Sequence, residues 1–386
     1  MAVPGNAEPS PLQGVRIVHV AAPGAFGGLE SVVAMLTAGI ARRGAECTLV
    51  LSLDRNAELA DLWRDAEAAG VRVVAIRTSG RNYPGKIMQL RRVIQKCRPS
   101  VIHSHGYVTD ILTPLAASGL HSRLVSTAHG VAGGDWKNRL YERLQHRAWR
   151  HYDRVIAVSR PLGNALVASG VRRDRCVVVQ NGWAAPYAFL EPAAARLELG
   201  LPAAVLVVGW VGRLSPEKGP DIALRAMALS SNPGAILVVI GAGGQEPGLR
   251  QLARELGIID RVRWAGVIPE AGRFMKAFDL FLLSSRTEGT PIALLEAMAA
   301  GRASIATAVG GVPDVLTARE GWLVDRADPA ALAAAIDDAL VHEDERRARG
   351  EAGPARVATH FGAQAWLDHH VQLYRSLVTK EEADVA

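Results

Sequence analysis

Short apolar runs alternate with longer amphipathic stretches along most of the chain. A short apolar run between turn residues indicates a buried strand, whereas apolar residues about three or four apart indicate a helix. In the first half this pattern predicts strands at residues 15–21, 47–53, 71–76, 100–104, 124–127 and 155–158, and helices at residues 29–41, 57–69 and 86–97. Strands that alternate with helices predict a parallel sheet covered by helices on both faces.

The same alternation starts again after an irregular stretch that contains Pro186 and Pro192. It predicts strands at residues 205–211, 235–240, 262–264 and 280–283, and helices at residues 221–229, 248–255 and 291–300. We therefore predict two α/β domains, comprising residues 1–187 and residues 188–362. A last amphipathic segment, residues 363–377, predicts a helix that could pack on either domain.

The loops that follow the predicted strands are the candidate functional loops. Ligands of open parallel sheets bind beyond the carboxyl ends of the strands, at the point where the strand order reverses. Two such domains whose strand ends face each other would form a cleft with walls from both.

Composition narrows the class of protein. Hydrophobic residues make up 49% of the 386 residues and charged residues 21%, which excludes a disordered or collagen-like chain. The uncharged stretches are broken by Gly and Pro, so none offers the ~20 consecutive apolar residues that a bilayer requires. Three scattered cysteines without a Cys-x-x-Cys pair favour neither a disulfide framework nor a zinc site. We expect a cytoplasmic protein without a signal peptide.

Positive charge is concentrated in the first half. Residues 1–190 carry 24 Lys and Arg against 13 Asp and Glu, whereas the remaining residues carry 20 against 25. A basic stretch, residues 136–151, includes Trp136, Tyr141 and Trp149, and it could contact anionic lipid at the inner face of the membrane or a phosphate-bearing acceptor. We favour a solvated helix face, the more common outcome of such a pattern. We expect no nucleic-acid partner.

A glycine-rich loop with Gly27 and Gly28 follows the first predicted strand and opens a helix. Glycines let the backbone approach a ligand, and a helix N-terminus offers unpaired N–H groups to an anion. The pattern Gly-x-Gly-x-x-Gly is absent here and in a second glycine loop that begins at Gly241, so a hydride-transfer enzyme is disfavoured. A purely structural turn is the alternative for the first loop.

Two cations follow the first strand of the second domain. Arg213 comes after Gly212, and Lys218 lies five residues further on. A guanidinium can donate to two phosphate oxygens and an ammonium adds a movable charge, so this pair suits a diphosphate. The alternative is a solvated basic turn, and the position at the carboxyl end of a strand favours the binding site.

Two carboxylates, Glu288 and Glu296, flank the start of a predicted helix. Thr290 suits the helix cap, Pro291 the first helical position and Gly301 the helix end. Glu296 has apolar neighbours and therefore needs hydroxyl or N–H partners. Both carboxylates, near unpaired helix N–H groups, could hold a polyhydroxylated ligand and a phosphate. A carboxylate paired with a buried arginine is the alternative.

Three histidines lie at strand ends of the first half, namely His103, His105 and His129. The His-x-His spacing could bind a metal, although such a pair could equally have one packed and one exposed side chain. No Asp-x-Asp that would hold a magnesium diphosphate is present in the sequence, and we expect no metal. His129, which precedes a glycine at a strand end, is the better ligand candidate.

Together these motifs resemble the retaining nucleotide-sugar glycosyltransferases of the bacterial group 1 class, family GT4. The resemblance extends from about residue 15 to residue 377 and includes the Glu-x7-Glu signature at Glu288 and Glu296. The other matching motifs are Gly27-Gly28-Leu29-Glu30, Thr127-Ala128-His129-Gly130, Ala157-Val158-Ser159, Gln180-Asn181-Gly182, Gly212-Arg213 through Lys218-Gly219, Val239 through Gly243 and Gly266-Val267-Ile268-Pro269.

The resemblance implies a role for each candidate residue. Arg213 and Lys218 would bind the donor diphosphate, Glu288 and His129 the hydroxyls of the donor sugar, and Glu296 the nucleotide ribose. The other implied donor-binding residues are Gly27, Gly28, Gly212, Gly241, Gly289, Thr290, Pro291 and Ile292, with Val267 and Ile268 against the base. Acceptor-side candidates are His105, Tyr107 and Trp136.

The implied fold is GT-B, an α/β fold with two Rossmann-like domains that face each other across a cleft, and the helix at residues 363–386 would return to the first domain. The implied reaction moves a hexose-type sugar from a UDP or GDP sugar to an acceptor hydroxyl, with retention and without a metal or other cofactor. The acceptor stays open among a saccharide, a lipid-linked saccharide and a small molecule. The alternatives are a sugar-nucleotide 2-epimerase on the same fold and a non-catalytic nucleotide-sugar-binding protein.

Overall fold

The structure, a computed structural model, describes residues 10–23, 27–56, 62–130 and 136–385. Within these ranges the chain forms two wholly parallel sheets, one of seven strands and one of six. Hydrophobic clusters lie on both faces of each sheet, so the predicted α/β fold with two helix-covered sheets is confirmed.

The first sheet uses the strands β1 (Arg16–Ala21), β2 (Glu46–Asp54), β3 (Arg72–Thr78), β4 (Val101–His105), β5 (Arg123–Ala128), β6 (Arg154–Ala157) and β7 (Cys176–Val178). Their order across the sheet is β3-β2-β1-β4-β5-β6-β7, so the order reverses between β1 and β4. The helices of this part are α1 (Gly28–Ala41), α2 (Leu62–Ala68), α3 (Tyr83–Cys97), α4 (Tyr107–Ala117), α5 (Trp136–Ala148) and α6 (Arg160–Ala168).

The second sheet uses β8 (Val207–Val211), β9 (Ile236–Ile240), β10 (Val262–Gly266), β11 (Leu280–Leu283), β12 (Ser304–Thr307) and β13 (Gly321–Val324). Their order is β10-β9-β8-β11-β12-β13, with the reversal between β8 and β11. The remaining helices are α7 (Pro192–Glu198), α8 (Pro220–Leu229), α9 (Glu246–Glu255), α10 (Ile292–Ala299), α11 (Val312–Val315), α12 (Pro329–Val341), α13 (Glu343–His360) and, on the first sheet, α14 (Ala363–Val385).

The continuous apolar runs are explained by burial on both faces of the sheets. In β9, Leu237 and Val239 pack into one core cluster, whereas Val238 and Ile240 pack into the cluster on the opposite face. Alternate residues of a strand point to opposite faces, so a strand covered on both sides has no polar position in its middle.

The sequence pattern did not predict three of the observed strands, namely β7, β12 and β13. Each has three or four residues, and β12 begins with Ser304 and ends with Thr307, which weakens the apolar signal. The pattern also gave no separate helices for α4, α6, α7 and α11–α13. Residues 57–61 of one predicted helix lie outside the described residues, and the described helix there is Leu62–Ala68.

The last helix packs on the first sheet. Trp366, Leu367 and Tyr374 of α14 share a core cluster with Ile17 of β1 and Val101 of β4. The chain therefore crosses to the second sheet between β7 and β8, a stretch that includes the predicted boundary at residues 187 and 188, and returns in α14. None of the described helices is long and apolar enough to span a membrane.

Candidate active site

Loops at the carboxyl ends of strands from both sheets contact each other directly. The Thr290 hydroxyl, beyond β11, donates to the Val158 carbonyl beyond β6 at 2.5 Å and accepts from the Asn181 N–H at 3.4 Å. A side chain on Gly289 would collide with the His129 carbonyl beyond β5, so only glycine permits this approach. The predicted cleft therefore has walls from both domains.

The N-termini of α1 and α10 lie together at this cleft. A Cβ atom placed on Gly28 would lie 3.0 Å from Cγ1 of Ile292, and Ile292 packs against core clusters of both domains. Gly27 and Pro291 are the N-cap residues, and neither helix has a side-chain cap. Neither cap residue therefore offers a side-chain acceptor to the first N–H groups, which carry the positive ends of the two helix dipoles.

Lys218 and Glu288 form an ion pair beside these helix ends. The Lys218 ammonium donates to both Glu288 oxygens at 2.8 and 2.9 Å, and the Ser285 hydroxyl donates to Oε1 at 2.6 Å. The Glu288 side chain is 5% exposed and that of Lys218 33% exposed. Gly219, at a φ of +62°, packs so tightly on the Ser284 carbonyl that no side chain fits, which fixes the Lys218 turn against β11.

Arg213 extends from the end of β8 toward the first domain. Its side chain is exposed, and Nη2 lies 3.7 Å from the position that a Cβ atom on Gly27 would take. The guanidinium is therefore at the N-terminus of α1, on the side of the cleft opposite its own backbone. A cation at this place can reach an anion held by either helix.

Glu296 lies in α10 with its carboxylate turned toward the stretch between the two sheets. The Tyr187 hydroxyl donates to its Oε1 at 2.8 Å. Burial raises the pKa of Glu296 to about 7, although the bond from Tyr187 favours the ionised form. The hydroxyl partner expected for Glu296 is therefore present. Within the described residues neither Glu288 nor Glu296 is paired with an arginine, so that alternative does not hold there. Sequence reasoning missed Tyr187, which lies in a stretch without periodicity.

Thr290 does not cap α10, and that prediction is wrong. The helix begins at Ile292, with Pro291 as its N-cap residue. The Thr290 hydroxyl instead donates to the carbonyl of Val158 in the other domain, so a tertiary hydrogen bond replaces the local helix cap. The predicted end of the helix is confirmed, because Gly301 adopts a φ of +72° just after the last turn.

The loops after β8, β9 and β10 form one layer at the edge of the second sheet. The Gly241 N–H donates to the Gly266 carbonyl at 2.7 Å, and the Gly212 N–H donates to the Ile240 carbonyl at 3.0 Å. Val267 follows this layer and is 52% exposed. Its neighbour, Ile268, is half-buried against the core. An exposed apolar side chain beside open backbone is a suitable surface for a flat base.

His129 is half-buried and its Nε2 lies 3.3 Å from Nδ1 of His105. Burial, with a smaller effect of His370, lowers the pKa of His129 to about 4, so the ring is neutral at pH 7. His103 and His105 are both buried, which contradicts the expectation of one packed and one exposed histidine. Both ring nitrogens of His105 contact other histidines, so neither is available to bind the acceptor substrate.

Tyr107 is 40% exposed at the start of α4 and belongs to a group of three tyrosines. Its ring centroid lies 5.5 Å from that of Tyr141, whose hydroxyl bonds that of Tyr83 at 2.7 Å. Lys86 lies over the Tyr83 ring at 5.9 Å from the centroid. We call Tyr83, Tyr107 and Tyr141 the tyrosine platform. Sequence reasoning did not connect them, since they come from three different helices.

The basic stretch at residues 136–151 is mostly the helix α5. Trp149 is buried and its indole N–H donates to the Ser126 hydroxyl at 2.9 Å, so Trp149 is not available to lipid. Leu140 and Arg143 are exposed on the same helix. The Trp136 side chain lies outside the described part of the chain.

Comparisons with known proteins agree with this geometry. The family described as "Glycosyltransferase Family 4" matches residues 26–183, and the family "Glycosyl transferases group 1" matches residues 195–356. A structure of Anabaena HepE in complex with UDP-glucose superimposes with a TM-score of 0.81 at 22% identity, covering 94% of this chain and 99% of that one. The fold is GT-B.

Two named relatives align with most of the chain. The D-inositol 3-phosphate glycosyltransferase of Segniliparus rotundus is 31% identical over 309 residues, which are 72% of this chain and 66% of that protein. The 2-deoxystreptamine N-acetyl-D-glucosaminyltransferase of Streptomyces fradiae is 32% identical over 307 residues, which are 73% of this chain and 72% of that protein. The chain thus spans just under two thirds of the first relative. It belongs to the group 1 glycosyltransferases, family 4.

Proposed function

We propose that the protein is a retaining, metal-independent glycosyltransferase that moves a hexose-type sugar from a nucleoside diphosphate to an acceptor hydroxyl. The observation that carries this proposal is the Lys218–Glu288 ion pair beside two helix N-termini without side-chain caps, one from each domain. UDP-glucose in the HepE complex supports a nucleotide sugar as the donor, and the names of the two relatives support the transfer of a sugar.

The diphosphate would lie between Arg213, Lys218 and the start of α1. Breaking the bond between the anomeric carbon and the phosphate oxygen leaves negative charge on the diphosphate. Fixed cations and helix N–H groups that face this charge stabilise the transition state without reorganising, and this is usually the largest catalytic contribution. In this arrangement no metal is needed to stabilise the leaving group.

The nucleoside would lie along the second domain. In its ionised form Glu296 can accept hydrogen bonds from both ribose hydroxyls, since Tyr187 occupies only one position on Oε1. Val267 and Ile268 would lie against the base. This surface gives no preference between uracil and guanine, so both UDP and GDP sugars belong in the test.

Retention requires attack from the face that the diphosphate leaves. The acceptor oxygen forms the new bond to the anomeric carbon while the bond to the phosphate oxygen breaks. The departing phosphate oxygen takes the proton of the acceptor hydroxyl, so no side chain has to act as the base. Glu288 positions the sugar and Lys218, and His129 bonds a sugar hydroxyl. Closure of the two domains excludes water.

The acceptor would lie on the first domain, above the tyrosine platform. D-inositol 3-phosphate and 2-deoxystreptamine, which appear in the names of the relatives, both contain a saturated six-membered carbon ring. Such a ring has an apolar face that packs on an aromatic ring and an edge of hydroxyls or amines. We therefore propose a polyhydroxylated six-membered ring as the acceptor.

The test is a transfer assay in the presence of EDTA. UDP and GDP hexoses are combined with D-inositol 3-phosphate or 2-deoxystreptamine, and the anomeric linkage of the product is determined by NMR. We expect an α-linked product from an α-linked donor, with undiminished activity in the chelator. A β-linked product contradicts retention, and activity that magnesium restores contradicts metal independence. Epimerisation of the donor without an acceptor supports the epimerase alternative.

A further inference from the structure

Three imidazoles form a continuous hydrogen-bonded row from the interior of the first sheet to the cleft. Nδ1 of His19, in β1, lies 3.1 Å from Nε2 of His105 at the end of β4. Nδ1 of His105 lies 3.3 Å from Nε2 of His129, beyond β5. We call His19, His105 and His129 the histidine chain. His19 and His105 have no part in the proposed reaction so far.

All three rings are neutral near pH 7. Burial lowers the pKa of His19 to about 3 and that of His129 to about 4, and it places the pKa of His105 well below the ordinary value. In the described part of the molecule no hydrogen bond joins these rings to a carboxylate. The titratable groups that face the chain are His103 of β4 and His370 and Tyr374 of α14.

The histidine chain is better explained by hydrogen bonds than by a metal. Ring nitrogens of His19, His103 and His105 lie within 4.8 Å of one another, a spacing that a metal could use. His103, however, bonds the Tyr374 hydroxyl through Nδ1 and the Thr127 hydroxyl through Nε2, each at 2.7 Å. Both nitrogens of His105 also have partners, so neither ring has a nitrogen left for a metal.

Counting hydrogens leaves two arrangements. A neutral imidazole carries one N–H, and each of the two contacts needs one hydrogen, so every ring donates either toward the cleft or toward the interior. If the rings donate inward, the hydrogen of His19 is on Nε2, which is buried and has no partner among the described residues. Buried N–H groups without an acceptor are rare in folded proteins. If the rings donate toward the cleft, Nε2 of His19 carries no hydrogen, so no buried N–H group is left without an acceptor there.

We infer that the histidine chain holds His129 as the tautomer with its hydrogen on Nδ1, so that His129 can donate, but not accept, through its remaining ring nitrogen. His105 is then a positioning residue that donates to Nε2 of His129, and His19 positions His105. The inference deepens the proposed function and rests on it for the contact between His129 and a sugar oxygen. It also removes His129 as a base, since Nδ1 already carries a hydrogen.

The test is ¹⁵N–¹H correlation NMR of the full chain labelled at histidine nitrogens, at pH 7 and without any substrate. We expect the His129 signals of the tautomer protonated on Nδ1, whereas free neutral histidine favours Nε2. In His105→Phe the donor to Nε2 is lost, so His129 should change to the Nε2–H form. His105→Gln, whose amide can donate, should restore the Nδ1–H form, and exposed His121→Phe should change nothing.

Three results would overturn the inference. These are a wild-type His129 protonated on Nε2, a His129 protonated on both nitrogens at pH 7, and a metal in the purified protein that is lost in His19→Phe. If His105→Phe does not fold, the wild-type spectrum and the His105→Gln variant still test the inference. Because the sample contains no substrate, the tautomer is measured independently of whether the protein transfers sugar.

Discussion

The two walls of the cleft differ in charge. The second-domain wall carries an ion pair, Lys218 with Glu288, and a second carboxylate, Glu296, whereas the first-domain side chains that would contact the sugar and the acceptor are uncharged rings, those of His129 and the tyrosine platform. In the proposed reaction negative charge develops on the diphosphate, and the hydroxyls of sugar and acceptor stay neutral. The charge difference therefore separates the side that stabilises the leaving group from the side that orients neutral groups. Substitutions on the two walls should consequently affect different kinetic constants.

The largest effect is expected on the charged wall. Lys218→Gln removes a cation that faces the leaving group, and kcat should fall by about 10²- to 10³-fold, the usual effect of losing one such preorganised group. Initial rates at saturating donor and acceptor measure it. The matched control is Lys96→Gln, at an exposed position of α3, which should keep full activity. A Lys218→Gln enzyme with normal kcat would remove this residue from the catalytic site.

The contact between the walls should be the next most sensitive feature. A Cβ atom in Gly289→Ala would collide with the His129 carbonyl and push the domains apart. Since a misplacement of about 1 Å can cost about 10²-fold in rate, we expect a loss of that order in kcat/KM. Gly234→Ala is the control, because its Cβ would have no neighbour within 4 Å. Equal activity of both variants would show that this close approach is not required.

The sequence predicted the charged wall better than the neutral one. Lys218, Glu288 and Glu296 lie at strand ends and at the start of one helix, so local pattern identifies them. His19 pairs with a residue 86 positions away and Tyr187 with one 109 positions away, and both separations come only from the topology of the sheets. The same limit explains Thr290, whose tertiary acceptor no local rule can supply.

The pH dependence of donor binding should distinguish the walls. Burial raises the pKa of Glu296 to about 7, and the ribose needs its ionised form. UDP affinity should therefore increase as the pH rises through 7, and below 7 it should weaken by up to about tenfold per pH unit. Calorimetric titration of UDP into the protein at pH values from about 5.5 to about 8.5 measures this dependence.

Two controls accompany the titration. Glu296→Gln cannot ionise and should bind UDP weakly with no such pH dependence. In the absence of ligand, the free energy of unfolding should depend on pH in the opposite direction. A raised carboxyl pKa means that the folded state binds the proton more tightly than the unfolded state does. The contribution of Glu296 to the free energy of unfolding is complete below its ordinary value of 4.5 and declines as the pH rises from there to 7. A pH-independent UDP affinity in the wild type would contradict the ribose contact.

The smallest effect is expected on the neutral wall. Tyr107→Ala removes an exposed ring of the tyrosine platform, and contacts of this kind contribute about 0.5–1.5 kcal/mol, so the acceptor KM should increase by about two- to tenfold. UDP affinity should not change. Tyr107→Phe retains the ring and should behave like the wild type. A Tyr107→Ala variant with altered UDP affinity and unchanged acceptor KM would place the donor on this wall instead.

The central claim is that the charged wall of the cleft binds a nucleoside diphosphate without a metal. Calorimetric titration of UDP and GDP into the protein in EDTA tests it most directly, with Arg213→Ala beside the exposed control Arg254→Ala on α9. The account predicts one site per chain for at least one nucleotide, an affinity at least about tenfold weaker in Arg213→Ala, and no change in Arg254→Ala. Binding of both nucleotides only with magnesium, or equal affinity in Arg213→Ala, would contradict it.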